Sequence, residues 1–298
     1  MKTVVAAVIG LLVLTACSTE DGSTATDPAG SPSSQAPSDE APGDAMPTTV
    51  PPPAGEVIGL GTVLDIGEPT GPELCLGVVA ESYPPQCSGL PLTGWEWEQV
   101  GDTFEESGTT RWGSYAVTGT YDGSTVTVTD PPVTAALYDP AAPVDDPFAT
   151  RCEEPAGGWA VVDPDRVGFE DQDAAISTAV QLPGYAGSFV DQSGLTGEPE
   201  AAQTLINVLV TEDVAGAEEA LREVWGGALC VSEAQRTEQD LIGIQDGLAG
   251  LPGLLSSGAE LDGVSVDVVW DDGSLQAWAE ATYGEGLVRV DSALREVG

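Results

Sequence analysis

Residues 207–231, NVLVTEDVAGAEEALREVWGGALCV, recur in pattern as residues 266–290, VDVVWDDGSLQAWAEATYGEGLVRV. Each copy runs from a β-branched stretch through an acidic turn into an amphipathic segment, a glycine stop and a second apolar stretch. In the first copy Val214, Ala217, Leu221 and Val224 fall at helical spacing and give one apolar face. Leu275, Trp278 and Thr282 hold the comparable positions in the second. Gly226 and Gly284 stand where each helix must stop, a place glycine fills readily. Each copy therefore reads as a βαβ unit, whose crossover is right-handed in nearly all cases.

A third helix joins the copies. Thr237 can cap it with Asp240 in the box position, and Leu241, Ile244, Leu248 and Leu251 share a face. The expectation for residues 157–298 is a ferredoxin-like α/β sandwich: one sheet, with helices on one side, built from a duplicated βαβ unit.

Residues 56–130 read differently. Val57–Ile66, Leu74–Glu81, Trp95–Val100, Arg111–Tyr121 and Ser124–Thr129 are short alternating or apolar runs, and Asp122-Gly123 between the last two is a strong hairpin signal. Five short strands without a helix suggest a small all-β barrel of OB or similar type, so the fold class is α+β. Trp95 and Trp97 are two apart and should share a strand face, with Trp112 and Tyr115 on a neighbouring strand. They read first as core, and second as an aromatic platform for a sugar or peptide. Residues 131–156, rich in Pro, Asp and Ala, read as a junction.

Ahead of the folded part, residues 1–16 (MKTVVAAVIGLLVLTA) carry one lysine, an apolar run and small residues, the pattern of a signal peptide. Residues 17–55 are dominated by Ser, Thr, Pro, Ala, Gly and Asp with no apolar period, and read as a disordered tether spanning on the order of 35 Å.

Composition removes several chemistries. The chain has 49 Asp+Glu, 8 Lys+Arg and no histidine, for a formal net charge of −41. Its only lysine is Lys2. Ser-His-Asp and Cys-His catalysis, a Schiff-base or P-loop lysine and His-ligated zinc are thereby excluded. Nucleic acid is an unsuitable partner, because nothing neutralises phosphates. No cofactor or catalytic residue is expected; the alternative is a carboxylate-dependent cell-wall glycan hydrolase, for which 49 acids single out no particular pair. In residues 163–174 (DPDRVGFEDQDA), Asp163, Asp165 and Gly168 fit positions one, three and six of a calcium loop, but Val167 and Ala174 break the pattern, and an acidic helix start explains the cluster. In WDDGS (270–274), Asp272 or Ser274 reads as a helix N-cap.

The five cysteines are Cys17, Cys75, Cys87, Cys152 and Cys230. An oxidising envelope compartment favours disulfides among the last four, with Cys75–Cys87 local and Cys152–Cys230 long as the preferred of three connectivities.

Leu14-Thr15-Ala16-Cys17, placed just after the signal core, resembles the lipobox of bacterial lipoproteins, and the acidic whole resembles envelope lipoproteins of high-GC Gram-positive bacteria. That resemblance implies a diacylated Cys17 at a new N-terminus, anchoring to the outer face of the cell membrane, and a protein or envelope component as partner. From GYAGSFVDQ (184–192) onward, with Ala186, Gly187, Phe189 and Asp191 and then VLVTED, the chain is similar to prodomains of secreted serine proteases of the α-lytic protease and streptogrisin type. With no histidine in the chain, that similarity implies an architecture and a habit of binding proteins, not an activity.

Overall fold

The computed structural model describes residues 45–138, 148–193, 195, 197 and 200–297. The segment read as a signal peptide, Cys17 and most of the stretch read as a tether lie outside these residues. Strand β1 (Glu56–Asp65) organises the first half of the molecule, because its alternating small and apolar side chains let it pair on both edges. It is followed by β2 (Pro72–Cys75), β3 (Leu90–Thr93), β4 (Glu105–Ser107), β5 (Thr110–Tyr121), β6 (Val126–Val128) and β7 (Val133–Thr134). β1, β2 and β3 form an antiparallel meander, β3 pairs in parallel with β6, β6 returns antiparallel to β5, and β5 closes on β1 along ten residue pairs from Glu56↔Thr120 to Asp65↔Arg111. The result is a closed five-stranded barrel with OB-type connectivity, to which β4 and β7 add short flanking strands on β5.

The span Trp95–Val100 is not a strand. A 3-10 turn over Trp97–Val100 plugs the barrel, and Trp95, Trp97 and Val100 are buried with Val63, Leu74, Tyr115 and Val126. The strand before the plug is β3, whose Pro91 hides it from a simple alternation test.

The second half extends the repeat beyond what its sequence pattern reveals. Helix α1 (Phe169–Ala179), β8 (Tyr185–Asp191), β9 (Leu205–Val210), α2 (Val214–Arg222) and β10 (Ala228–Glu233) form one module. Helix α3 (Glu238–Gly247), β11 (Leu254–Ala259), β12 (Val264–Val268), α4 (Ser274–Tyr283) and β13 (Val288–Ser292) repeat it element for element. The duplicated unit is thus αββαβ. In both modules the middle strand pairs antiparallel with the strand before it and parallel with the strand after its helix. The strands make two three-stranded sheets, β10-β9-β8 and β11-β12-β13, rather than one continuous sheet.

Each sheet turns one face to its own helices. Ile206, Val208 and Val210 pack with Ala175, Ala179, Leu221 and Trp225 in the first module. Val264, Val266 and Val268 pack with Leu241, Leu248, Leu275 and Ala279 in the second. Ala279, not the exposed Thr282, completes the inward face of α4. The other faces differ. In β9 all six residues are buried, so this central strand is apolar almost throughout, as a strand covered on both faces should be. In β12, Ser265 and Asp267 alternate outward instead.

All described residues belong to one compact unit. The short final strand β14 (Leu294–Glu296) leaves the second module and pairs with β1, so Leu294 is fully buried in the barrel core together with Val269 of the second module. Residues 45–54, within the stretch read as tether, are packed as well. Met46 and Val50 lie against the second module's core, and Trp270 Nε1 donates to the Pro51 carbonyl at 3.0 Å.

Candidate functional site

The cysteines read from the sequence divide cleanly. Cys75 is bonded to Cys87 and Cys152 to Cys230. The first bridge lies on the outside of the barrel beside Leu64 and Trp112, where Tyr83 meets the Trp112 ring edge-on at 5.2 Å. The second joins the 148–159 segment to β10, and with Trp159 it covers one end of the first sheet's outer face. Cys17 lies outside the described residues.

The aromatic quartet forms no platform. Trp95, Trp97, Trp112 and Tyr115 are all more than nine-tenths buried. Inside the barrel Trp95 meets Trp97 edge-on and Tyr115 at a tilt, with Trp97 Nε1 donating to Asp65 at 2.9 Å. Trp112 faces the other way, toward the local disulfide.

The acidic stretch 163–174 is a turn followed by a helix start. Asp163 accepts from Asp165 N at 3.1 Å and pairs with Arg166 at 2.8 Å. Asp171 accepts from Gly168 N at 2.8 Å at the head of α1. In WDDGS the capping role falls chiefly to Asp271, one residue earlier than expected. Its two carboxylate oxygens take Leu275 N at 2.9 Å and Gln276 N at 3.2 Å, while Asp272 takes Ser274 N at 3.1 Å. Gly226, read as a helix stop, is needed for close approach: a Cβ there would come within 2.1 Å of the Asp163 carbonyl. Gly284 does end α4, at φ +109°. Thr237 and Asp240 form the capping box of α3.

One concave feature has no counterpart in the residue order. A cavity of about 530 Å³ opens where the two modules meet. Tyr185, Ala186, Gly187 and Ser188 of β8 form one wall, and Glu238, Ile242 and Gln245 of α3 form another. The end of β11 at Ala259 and the turn after it, with Glu260 and Leu261, close it, and Phe148 also lines it. The modules approach so closely that a Cβ on Gly187 would meet Leu261 Cδ2 at 2.6 Å. Leu261 also packs with Ala186 and Leu209 over the outer face of the first sheet. Arg151 forks onto both carboxylate oxygens of Asp262, tying the 148–159 segment to this same turn.

The polar groups of the cavity are few and held in place. The Tyr185 hydroxyl and Ser188 Oγ are 2.9 Å apart, and Gln245 Nε2 donates to the Ser257 carbonyl at 2.9 Å. Burial pushes the Tyr185 phenol up; its bond with Ser188 opposes this, and the charge of Glu238 adds to it. Tyr185 is therefore a neutral hydroxyl at physiological pH. A mostly apolar concavity of this size with a few placed polar groups has the character of a ligand site. It holds no nucleophile–base pair. Among the described residues, no group of three or more Asp, Glu or Cys is arranged to hold a metal ion. Only Gly187 in the quoted Ala-Gly opening hints at a close approach, and it does not say to what. No protein-family model matches this chain, and no curated protein sequence matches it at a significant level.

Proposed function

We propose that this protein is a lipoprotein anchored by lipid to the extracytoplasmic face of the cell membrane, binding an envelope component or protein through its folded body, without catalysis of its own. The observation that carries the anchoring is the cysteine partition: four cysteines are bonded in two pairs, which leaves Cys17, directly behind an apolar signal core, for acylation. Two acyl chains hold a protein to a bilayer stably, where one alone does so only marginally. The binding role is supported by the junctional cavity and by a scaffold that ties the barrel and both modules together.

Expression of the wild-type chain and of Cys17→Ala, followed by membrane fractionation and mass spectrometry of the N-terminus, tests the anchor. Acylation and retention are expected for the wild type and neither for the variant; equal retention of both removes the anchoring half of the reading. Pull-down from envelope extracts at physiological salt tests the binding half. A glycan-hydrolase reading survives only if peptidoglycan or envelope polysaccharide is turned over and Glu238→Gln or Glu260→Gln abolishes that turnover.

A further inference from the structure

We infer that the cavity between β8 and α3 is a binding site for a small organic cation, an ammonium group carried on an apolar alkyl or aryl body. The inference rests on the reading of the chain as a binding protein and adds the chemistry of the ligand. The volume of about 530 Å³ lies in the range of small-molecule sites, and Gly187, Ile242 and Leu261 give it apolar walls. The charge of the lining is one-sided. Among the described residues that line it, the charged side chains are Glu238 and Glu260. Of the arginines on the flanking segments, Arg151 is committed elsewhere: it forks onto both carboxylate oxygens of Asp262.

An anion has little to hold it here. At the head of α3, Asp240 N donates to Thr237 Oγ1 at 3.1 Å, and the Asp240 carboxylate takes Thr237 N at 3.1 Å. These bonds occupy donors that would otherwise attract negative charge. The Tyr185 and Phe148 rings lie in the lining, and aromatic faces attract ammonium groups. Carboxylates at the rim, aromatic rings and an apolar floor together select a cationic head on an apolar body over a neutral or anionic one of equal size.

The test is calorimetric titration of the full chain carrying Cys17→Ala, a background in which binding does not depend on the lipid anchor. The probe is octyltrimethylammonium, with octanol and octyl sulfate as neutral and anionic counterparts. One equivalent of the cation is expected to bind, and the counterparts at least tenfold more weakly. Glu238→Gln with Glu260→Gln should weaken the cation about tenfold, a change equivalent to roughly 1.4 kcal/mol. Glu105→Gln with Glu106→Gln alters net charge equally on the distant β4 strand, and should change affinity less than about twofold if attraction is local. Ile242→Trp, which fills the cavity, should abolish binding. No binding, equal affinity for octanol, or equal losses in the two charge pairs would overturn the inference. The anchoring test and the pull-down stand or fall separately from these outcomes.

Discussion

Gly59 and Leu294 sit opposite each other on β1 and β14, and a Cβ on Gly59 would come within 2.7 Å of Leu294 Cδ2. The closed barrel therefore gains a flanking strand from the far end of the folded chain, and its core passes into the second module through Val269 and Trp270. Barrel and second module should unfold as one.

Leu294→Ala is expected to destabilise the protein by about 2–5 kcal/mol, the usual range for a buried leucine. Gly59→Val should cost a comparable amount through overpacking, about 1–3 kcal/mol. Urea unfolding followed by tryptophan fluorescence and by far-UV circular dichroism checks both. Non-coincident transitions would show that the barrel is independent of the last strand.

The two disulfides differ in reach. Cys75–Cys87 closes a separation of 12 residues and Cys152–Cys230 one of 78. In the chain-entropy description the shorter loop contributes about 3 kcal/mol and the longer about 4–5. Cys152→Ala with Cys230→Ala should lower the melting temperature more than Cys75→Ala with Cys87→Ala; the reverse order would contradict this account.

Asn207 lies in the middle of β9, 1% exposed, between Cys230 and Phe189 on the neighbouring strands. Its Oδ1 has no hydrogen-bond partner, and Nδ2 reaches the Leu205 carbonyl only at 3.4 Å. A buried unsatisfied polar atom costs about 1–3 kcal/mol. Asn207→Val, an apolar strand former only modestly larger than asparagine, is expected to leave stability unchanged or raise it by about 1 kcal/mol. A loss above about 1 kcal/mol in calorimetry would mean that the amide makes a bond worth keeping.

At the head of α4, Asp271→Ala removes the acceptor for two backbone N–H groups and should cost about 1 kcal/mol, whereas Ser274→Ala should be near neutral. Denaturant midpoints of the two variants decide between Asp271 and its neighbours as the effective cap.

Acid should destabilise through particular turns. Asp122 is held below its ordinary value first by the Ser124 N–H, Asp240 by the Thr237 hydroxyl, and Asp163 by the Asp165 N–H. A depressed carboxyl contributes stability that is complete above its unfolded pKa, near 4, and is lost as pH falls through the lower folded value. Between pH 7 and about 5 these carboxyls stay ionised. As pH falls below about 4 the unfolded chain takes up protons at these positions before the folded one does, so the melting temperature should fall, even as self-repulsion from the net charge of −41 is relieved. Asp122→Ala with Asp240→Ala should flatten that acid limb; an unchanged limb would place the acid sensitivity elsewhere.

Local chemistry explains what could be read from residue order alone. The Asp122-Gly123 turn, the alternation in β1 and β5, the Thr237–Asp240 box and the spacing of Ala217 and Leu221 each act over a few residues, and those elements are present as expected. Cysteine parity, the absence of histidine and the acidic balance likewise need no coordinates. The remaining features depend on contacts between distant parts of the chain. The plug at Trp97 is a turn because the barrel interior must be filled, the outer face of β9 is apolar because the 148–159 segment and Leu261 cover it, and β14 is a strand because β1 has an open edge. The cavity belongs to this second class. Its walls come from β8, α3 and the turn after β11, segments that become neighbours only when the two αββαβ modules pack together. Periodicity along a chain records which face of an element is buried, and the partner covering that face is set by long-range packing.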